Sequence, residues 1–241
     1  MLEHATNSVH ERPLVIHVPH ASTLLPERYR AQFGVAREAL DDEIHHSADL
    51  HTDNLARAAW PDAVLIEAQV SRVLLDVERY EDDAQEEMAS VGRGVIYTHD
   101  RIAQPLKRNL SDSDRQHLLD RFYRPHWEKL REAAKCAVLV DLHTYPRDAW
   151  PIEPDGNAAR PEIDLGTSAG ITPPEWTAAL RLHFESMGYS VGENTPYVGV
   201  IDAGASSAVM IEIRRDVLSD GLGSAQWSRL ISALSRMPMP G

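Results

Sequence analysis

Four residues carry the chemistry that this sequence suggests: His20, Asp141, His143 and Glu212 are polar groups set against apolar runs. His20 follows LVIHVP, with Ser22 and Thr23 just after it; Asp141 and His143 stand two apart at the end of AVLVDLH (137–143); Glu212 sits inside AVMIEI and is followed by Arg214 and Arg215. An ionised carboxylate buried without a partner is costly, so Glu212 between Ile211 and Ile213 either faces solvent by strand alternation or serves a site. A catalytic zinc takes three protein ligands and keeps one position open for water; histidines and carboxylates suffice, and a further carboxylate can act as base. His20 and His143 offer two nitrogens. An acid of EIHHSADLHTDNLARAAW (43–60) would offer the oxygen, with Asp49 and Asp53, one helical turn apart, both candidates. Taken singly, each histidine also fits a loop or core position and each acid a solvated helix face; what makes a site is their arrival together at strand ends on one edge of a sheet.

A second group lies in SRVLLDVER (71–79), where Arg72, Asp76 and Arg79 bracket an apolar stretch. An arginine fork suits bidentate recognition of a substrate carboxylate, and it equally suits a structural ion pair with Asp76.

The elements that must position these residues alternate along the chain. LVIHV (14–18), AVLIEA (63–68), VLLDV (73–77), AVLVDLH (137–143) and AVMIEIRR (208–215) read as strands. The stretch 43–60 reads as one helix with Ile44, Leu55 and Ala56 inward. SDSDRQHLLDRFYRPHWEKLREAAKC (111–136) reads as a helix opened by an N-cap signal and kinked at Pro125, and 173–188 as a helix with Thr172 as cap and Gly188 as stop. The segment 145–174, rich in Pro, Gly and Asp, reads as a long loop near the site. This order predicts an α/β fold, a three-layer α/β/α sandwich with a mixed, mostly parallel sheet, whose site gathers beyond the carboxyl ends of the strands.

At 241 residues the chain suits one core, and residues 1–241 are expected to form a single domain. With 24 Lys+Arg against 37 Asp+Glu the net charge is −13, which argues against a nucleic-acid partner, since backbone binding needs clustered cations. MLEHATNSVHERP has neither the basic nor the apolar region of a signal peptide, and no apolar run of ~18 residues occurs, so a cytoplasmic protein with no membrane partner is expected. Cys136 is the only cysteine, so any metal site must use His and carboxylate. The oligomeric state has no sequence signal.

The ordered set VPHAS, ADLHTDNL, SRVLLDVER, VDLHTY, DLGTSAG, NTPYVG and IEIRR, spanning 18–215, resembles the N-formylglutamate amidohydrolase family, itself distantly similar to the zinc carboxypeptidases. The resemblance implies a phosphorylase/hydrolase-like, zinc carboxypeptidase-like sandwich and a zinc-dependent amidohydrolase acting on a small acylated amino acid such as N-formylglutamate. It implies that His20, Asp49 and His143 bind Zn²⁺, that Glu212 is the general base and that Asp141 orients a ligand. Arg72 would be the foremost substrate contact, with Arg79, Asn194, Thr195, Gly199 and Arg214 also on the substrate side. Two departures fall near the implied substrate region: Glu78-Arg79 stands where the family usually has Asn-Arg, and Val200 follows Gly199 in place of a second glycine. A peptidase or amidase acting on another acylated amino acid or peptide terminus, and a non-catalytic metal-binding or small-molecule-binding protein of the same fold, are the alternative readings.

Overall fold

The structure is a computed structural model that describes residues 12–153, 156 and 158–241. The signal-peptide reading of the N-terminus therefore falls largely outside the described residues, as do positions 154, 155 and 157 of the predicted loop.

Six strands form one sheet: β1 (Leu14–Val18), β2 (Val64–Glu67), β3 (Val138–Tyr145), β4 (Ile163–Gly166), β5 (Val191–Glu193) and β6 (Ser207–Arg214), in the spatial order β2-β1-β3-β6-β4-β5. The first four in that order are mutually parallel; β4 runs antiparallel to β6 and parallel to β5. The sheet is thus mixed and mostly parallel, as the sequence predicted.

Strand periodicity decides which face each residue takes. Ile16, Val18, Val138, Val140, Leu142, Val209, Ile211 and Ile213 share one core. It is covered by three helices: α3 (Thr52–Ala59) through Leu55, Ala56 and Ala59, α6 (Pro174–Ser186) through Trp176, Leu180 and Phe184, and α7 (Ala225–Ser235) through Trp227, Leu230 and Leu234. Val15, Leu139 and Ala208 face the other way, onto Leu130 and Ala134 of α5 (Arg124–Ala134). His17, Asp141, His143 and Glu212 have the same parity as these and belong to the α5 face. Beside that face a further apolar cluster joins Tyr29 of α1 (Glu27–Arg30), Leu40 and Ile44 of α2 (Arg37–Ser47), Leu118 of α4 (Asp112–Leu118), and Val73, Leu74, Leu75 and Val77.

Five expectations change. VLLDV is no strand but a run of turns: Leu74 N–H donates to the Ser71 carbonyl and Val73 N–H to Ser71 Oγ, and all four apolar side chains are buried, which the alternation of a half-buried strand would not allow. The predicted helix 43–60 is two helices, α2 and α3, because His51 takes a left-handed φ of 71° and Thr52 Oγ1 donates to the Asp49 carbonyl (2.7 Å), starting a new helix. The loop 145–174 contains β4, whose Ile163, Asp164 and Leu165 are all buried beside β6. Thr172 does not cap α6; its hydroxyl donates to the Ala208 carbonyl and Pro173 holds the cap position. Asp141 and His143 lie within β3, which runs on to Tyr145.

Ser111 caps α4 through a reciprocal box with Asp114, and a π-helical turn, Leu119–Tyr123, precedes Pro125, absorbing the missing proline N–H without ending the helical rod. Gly188 ends α6 at φ 82°, and α7, which had no sequence reading, completes the covering layer.

Candidate active site

The site lies at the carboxyl ends of β1, β3 and β6. In-register pairing puts His17 beside Asp141, and His143 between Glu212 on the next strand and Glu78, which reaches in from the turns after β2. The break between α2 and α3 adds Asp49: its N–H donates to the His20 carbonyl (2.9 Å), which ties the two segments together. Asp53, one turn on, is held instead by the neighbouring Asn54 and takes no part.

His20 Nδ1, His143 Nδ1 and Asp49 Oδ2 converge on one another. The two nitrogens are 3.3 Å apart, His143 Nδ1 is 3.3 Å from the carboxylate oxygen and His20 Nδ1 is 3.6 Å from it. Ligands about 2.0–2.1 Å from a tetrahedral ion lie ~3.3–3.4 Å from one another, so this triangle has the size of a zinc ligand set. The opposite ring nitrogens are taken up by carboxylates: His20 Nε2 faces Asp76 Oδ1 at 2.8 Å and His143 Nε2 faces Asp141 Oδ1 at 3.0 Å. Metal-binding imidazoles are usually oriented in this way, by a carboxylate on the far nitrogen that fixes the tautomer and leaves the near one free. Asp49 is oriented as well, its second oxygen accepting from Arg215 Nη2 (3.1 Å).

The charge balance fits a cation. Among the described residues, four carboxylates, those of Asp49, Asp76, Glu78 and Asp141, contact the two imidazoles, whereas the guanidiniums of Arg72, Arg79 and Arg215 alone reach those carboxylates. Burial pushes the His143 pKa down, yet Glu78 and Asp141 hold it well above the ordinary histidine value. Burial also pushes the Asp49 carboxyl up, and hydrogen bonds from His143 and His20 bring it well below the usual range. A place that holds a proton so firmly attracts positive charge, which a divalent ion would supply.

Behind the ligand set runs a buried chain: Asp141 Oδ1 meets His17 Nδ1 (2.8 Å), and His17 Nε2 meets His126 Nε2 of α5 (2.8 Å). Asp76 is the densest junction, accepting from His20, from Arg72 Nε (3.0 Å) and Nη2 (2.8 Å), from Tyr97 Oη (2.6 Å) and from Glu78 N–H (3.0 Å).

Glu212 is only 7 % exposed and its Oε2 has no hydrogen-bond partner among the described residues, so the solvent-facing reading of this strand acid does not hold. Burial raises its pKa to about 8, against the pull of His143 and with Asp49 and Glu78 adding to the rise. An unpartnered carboxylate beside a candidate ligand is free to receive a proton from a reacting group.

His20, Asp49, Arg72, Glu78, Arg79, Asp141, His143, Gly199, Glu212 and Arg215 all border a cavity of about 860 Å³. Other expected residues do not reach it. Arg214 turns to Asp216 and the Arg160 carbonyl, while Arg215, which had no assigned role, takes its place. Asn194 Oδ1 accepts from Thr167 N–H and Gly199 N–H, and Thr195 N–H donates to both oxygens of Asp164, so this pair shapes the cavity wall without bordering the space. Gly166 is needed for the same wall, since a Cβ there would lie 2.2 Å from the Gly199 carbonyl oxygen. Arg72 lines the cavity but spends its fork on Asp76, the ion pair that its spacing allowed. Arg79 is less engaged: it stands 3.8 Å from Asp76 and 3.5 Å from Glu86, and its buried Nε has no partner among the described residues.

A sequence model of the N-formylglutamate amidohydrolase family matches residues 12–219. The chain belongs to this family. Its structure is similar to the crystal structure of an N-formylglutamate amidohydrolase from Ralstonia eutropha, at 25 % identity and a TM-score of 0.76, covering 94 % of this chain and 91 % of that one. It is also similar in fold to a gene product of Agrobacterium tumefaciens, at 18 % identity and a TM-score of 0.72, covering 94 % and 88 % of the two chains. A search of curated proteins gave no match. Family membership supports hydrolysis of an amide bond, and no helix among the described residues is long and apolar enough to cross a membrane.

Proposed function

We propose that this chain is a single-domain, zinc-dependent amidohydrolase that cleaves the formyl or other acyl amide of an N-acyl amino acid such as N-formylglutamate. The observation that carries the reading is the triangle of His20 Nδ1, His143 Nδ1 and Asp49 Oδ2, each ligand fixed from behind by Asp76, Asp141 or Arg215, with a free buried carboxylate alongside. When bound by these three residues, zinc supplies positive charge that acidifies a water and polarises a carbonyl.

The side chains supply the rest. Glu212 takes a proton from the attacking water as its oxygen bonds to the acyl carbon, and then gives that proton to the leaving amine nitrogen as the carbon–nitrogen bond breaks. The products are the free acid and the amino acid. Its burial suits the base's duty, since taking a carboxylate out of water raises its pKa and so its affinity for the proton it must receive. Arg79, which lines the cavity and makes no side-chain hydrogen bond among the described residues, is the better candidate for gripping a substrate carboxylate, and Arg72 holds Asp76.

The reading is tested by elemental analysis of the native protein and of His143→Ala, together with formate release from N-formylglutamate and a panel of other N-acyl amino acids and peptides. One zinc per native chain, absent from the variant, and formate release by the native protein alone are expected. A native protein that holds no metal after zinc is supplied and the excess removed would overturn the mechanism.

A further inference from the structure

Glu78 has no part in the reaction above, yet it is built into the same centre. Its N–H donates to Asp76 Oδ1 (3.0 Å), which anchors the turn so that its side chain reaches both imidazoles on the edge opposite Asp49. Oε1 lies 3.0 Å from His143 Nε2 and Oε2 lies 3.5 Å from His20 Nε2, with the carboxylate 18 % exposed at the cavity wall.

His20, Glu78 and His143 have by themselves the composition of a metal triad. Their geometry argues against that use. Both Nε2 atoms face carboxylates at the shorter distances, Asp76 at 2.8 Å and Asp141 at 3.0 Å; with the ring hydrogen placed there, Nδ1 keeps the lone pair for an ion and Nε2 has none. Glu78 makes no hydrogen bond to either ring and stands as a negative charge beside both Nε2 edges. A carboxylate on the far side of an imidazole strengthens the near nitrogen as a ligand.

We propose that Glu78 is a positioning residue that tightens divalent-metal binding by His20, Asp49 and His143 without touching the ion. The inference rests on those three residues being the metal ligands. Each ring then has two carboxylates at its far edge: Asp76 and Asp141 hydrogen-bond to His20 and His143, and Glu78 acts on both through its charge.

The test uses metal-free full-length protein and its Glu78→Ala and Glu78→Gln variants, with zinc affinity measured by competition against a chromophoric chelator and visible absorption recorded after loading with cobalt(II). Glu78→Ala is expected to raise the zinc Kd by ~10–100-fold, the scale seen when a partner behind a ligand is lost. Glu78→Gln keeps the shape and loses the charge, so a rise of the same order, ~10-fold or more, is expected; as the isostere it decides the matter should the alanine variant fail to fold. The cobalt spectra of both variants should superimpose on that of the wild type. An unchanged Kd in the folded variants overturns the proposal, and so do shifted or weakened cobalt bands, which would put Glu78 on the ion itself. A wild-type protein that binds no zinc removes the ligand assignment and this inference with it, an outcome the wild-type arm reads independently of either variant.

Discussion

Asp76→Asn is a change of one atom at the junction on which the centre hangs. In the native protein one oxygen of Asp76 faces His20 Nε2 and Glu78 N–H, and the other faces Arg72 Nε and Nη2 and Tyr97 Oη. Both faces are donor-rich and the residue is fully buried, so neither orientation of an amide satisfies both. Either orientation removes the counter-charge of the mostly buried Arg72 guanidinium, and with the amide NH₂ toward Arg72 its hydrogen-bond acceptor is lost as well; removing one partner of a buried ion pair costs about 3–5 kcal/mol. With the NH₂ toward His20, the imidazole must accept at Nε2 and carry its hydrogen at Nδ1, the atom that faces Asp49 and His143. The first orientation shows mainly as lost stability and the second as lost metal affinity as well. For a chain of this size each kcal/mol moves Tm by about 2–4 °C, so a drop on the order of 10 °C is expected if the first dominates. If the second dominates, the zinc Kd should rise by at least ~10–100-fold. Calorimetry of the metal-free protein and chelator competition read the two separately. A variant with native Tm and native zinc affinity would refute the argument, because no third arrangement of the amide avoids both penalties.

Glu212→Gln should keep its zinc and lose ~10² or more in kcat, the scale of general acid–base catalysis, as followed by formate release and metal content; wild-type turnover would remove its role. Arg79→Met should raise KM for N-acyl amino acids bearing a carboxylate far more than for their amide-capped analogues, whereas Arg72→Met should mainly lower Tm; equal losses on both substrate types would count against Arg79 as the carboxylate contact. His126 offers a test by pH. Burial, helped by His17, lowers its pKa to about 3, so between pH ~6.5 and that value the unfolded chain binds a proton that the folded chain does not. Its contribution to stability is therefore complete above pH ~6.5 and is lost as the pH falls, at up to about 1.4 kcal/mol per pH unit. Urea unfolding at several pH values should give a shallower acid limb for His126→Asn than for the wild type, and identical slopes would refute the neutral, buried state.

Local periodicity determined much of this protein. The apolar runs at 14–18, 63–68, 137–143 and 208–215 specified four parallel strands, because alternation and β-branched content are properties of neighbours in the chain. The site's location beyond the strand ends was legible as well, but the shared face of His17, Asp141, His143 and Glu212 came from the strand register, which sets His17 beside Asp141 and His143 beside Glu212. The parts left open were those governed by distant partners. Asp49 reaches the histidines only because the helix breaks where its N–H finds the His20 carbonyl, and its contact with His143 spans 94 positions of sequence. VLLDV has strand composition, but its burial on all sides made it a turn that delivers Asp76 and Glu78. Spacing left Arg72 free to hold either a substrate or Asp76, and the fold chose Asp76; it gave no reason to prefer Arg215 to Arg214, which differ in whether the chain has left the strand. Which ring nitrogen faces inward was also beyond the sequence, since it depends on carboxylates arriving from several separate segments. Secondary structure follows from short-range patterns, whereas a ligand set is fixed by long-range packing, which only the folded chain decides.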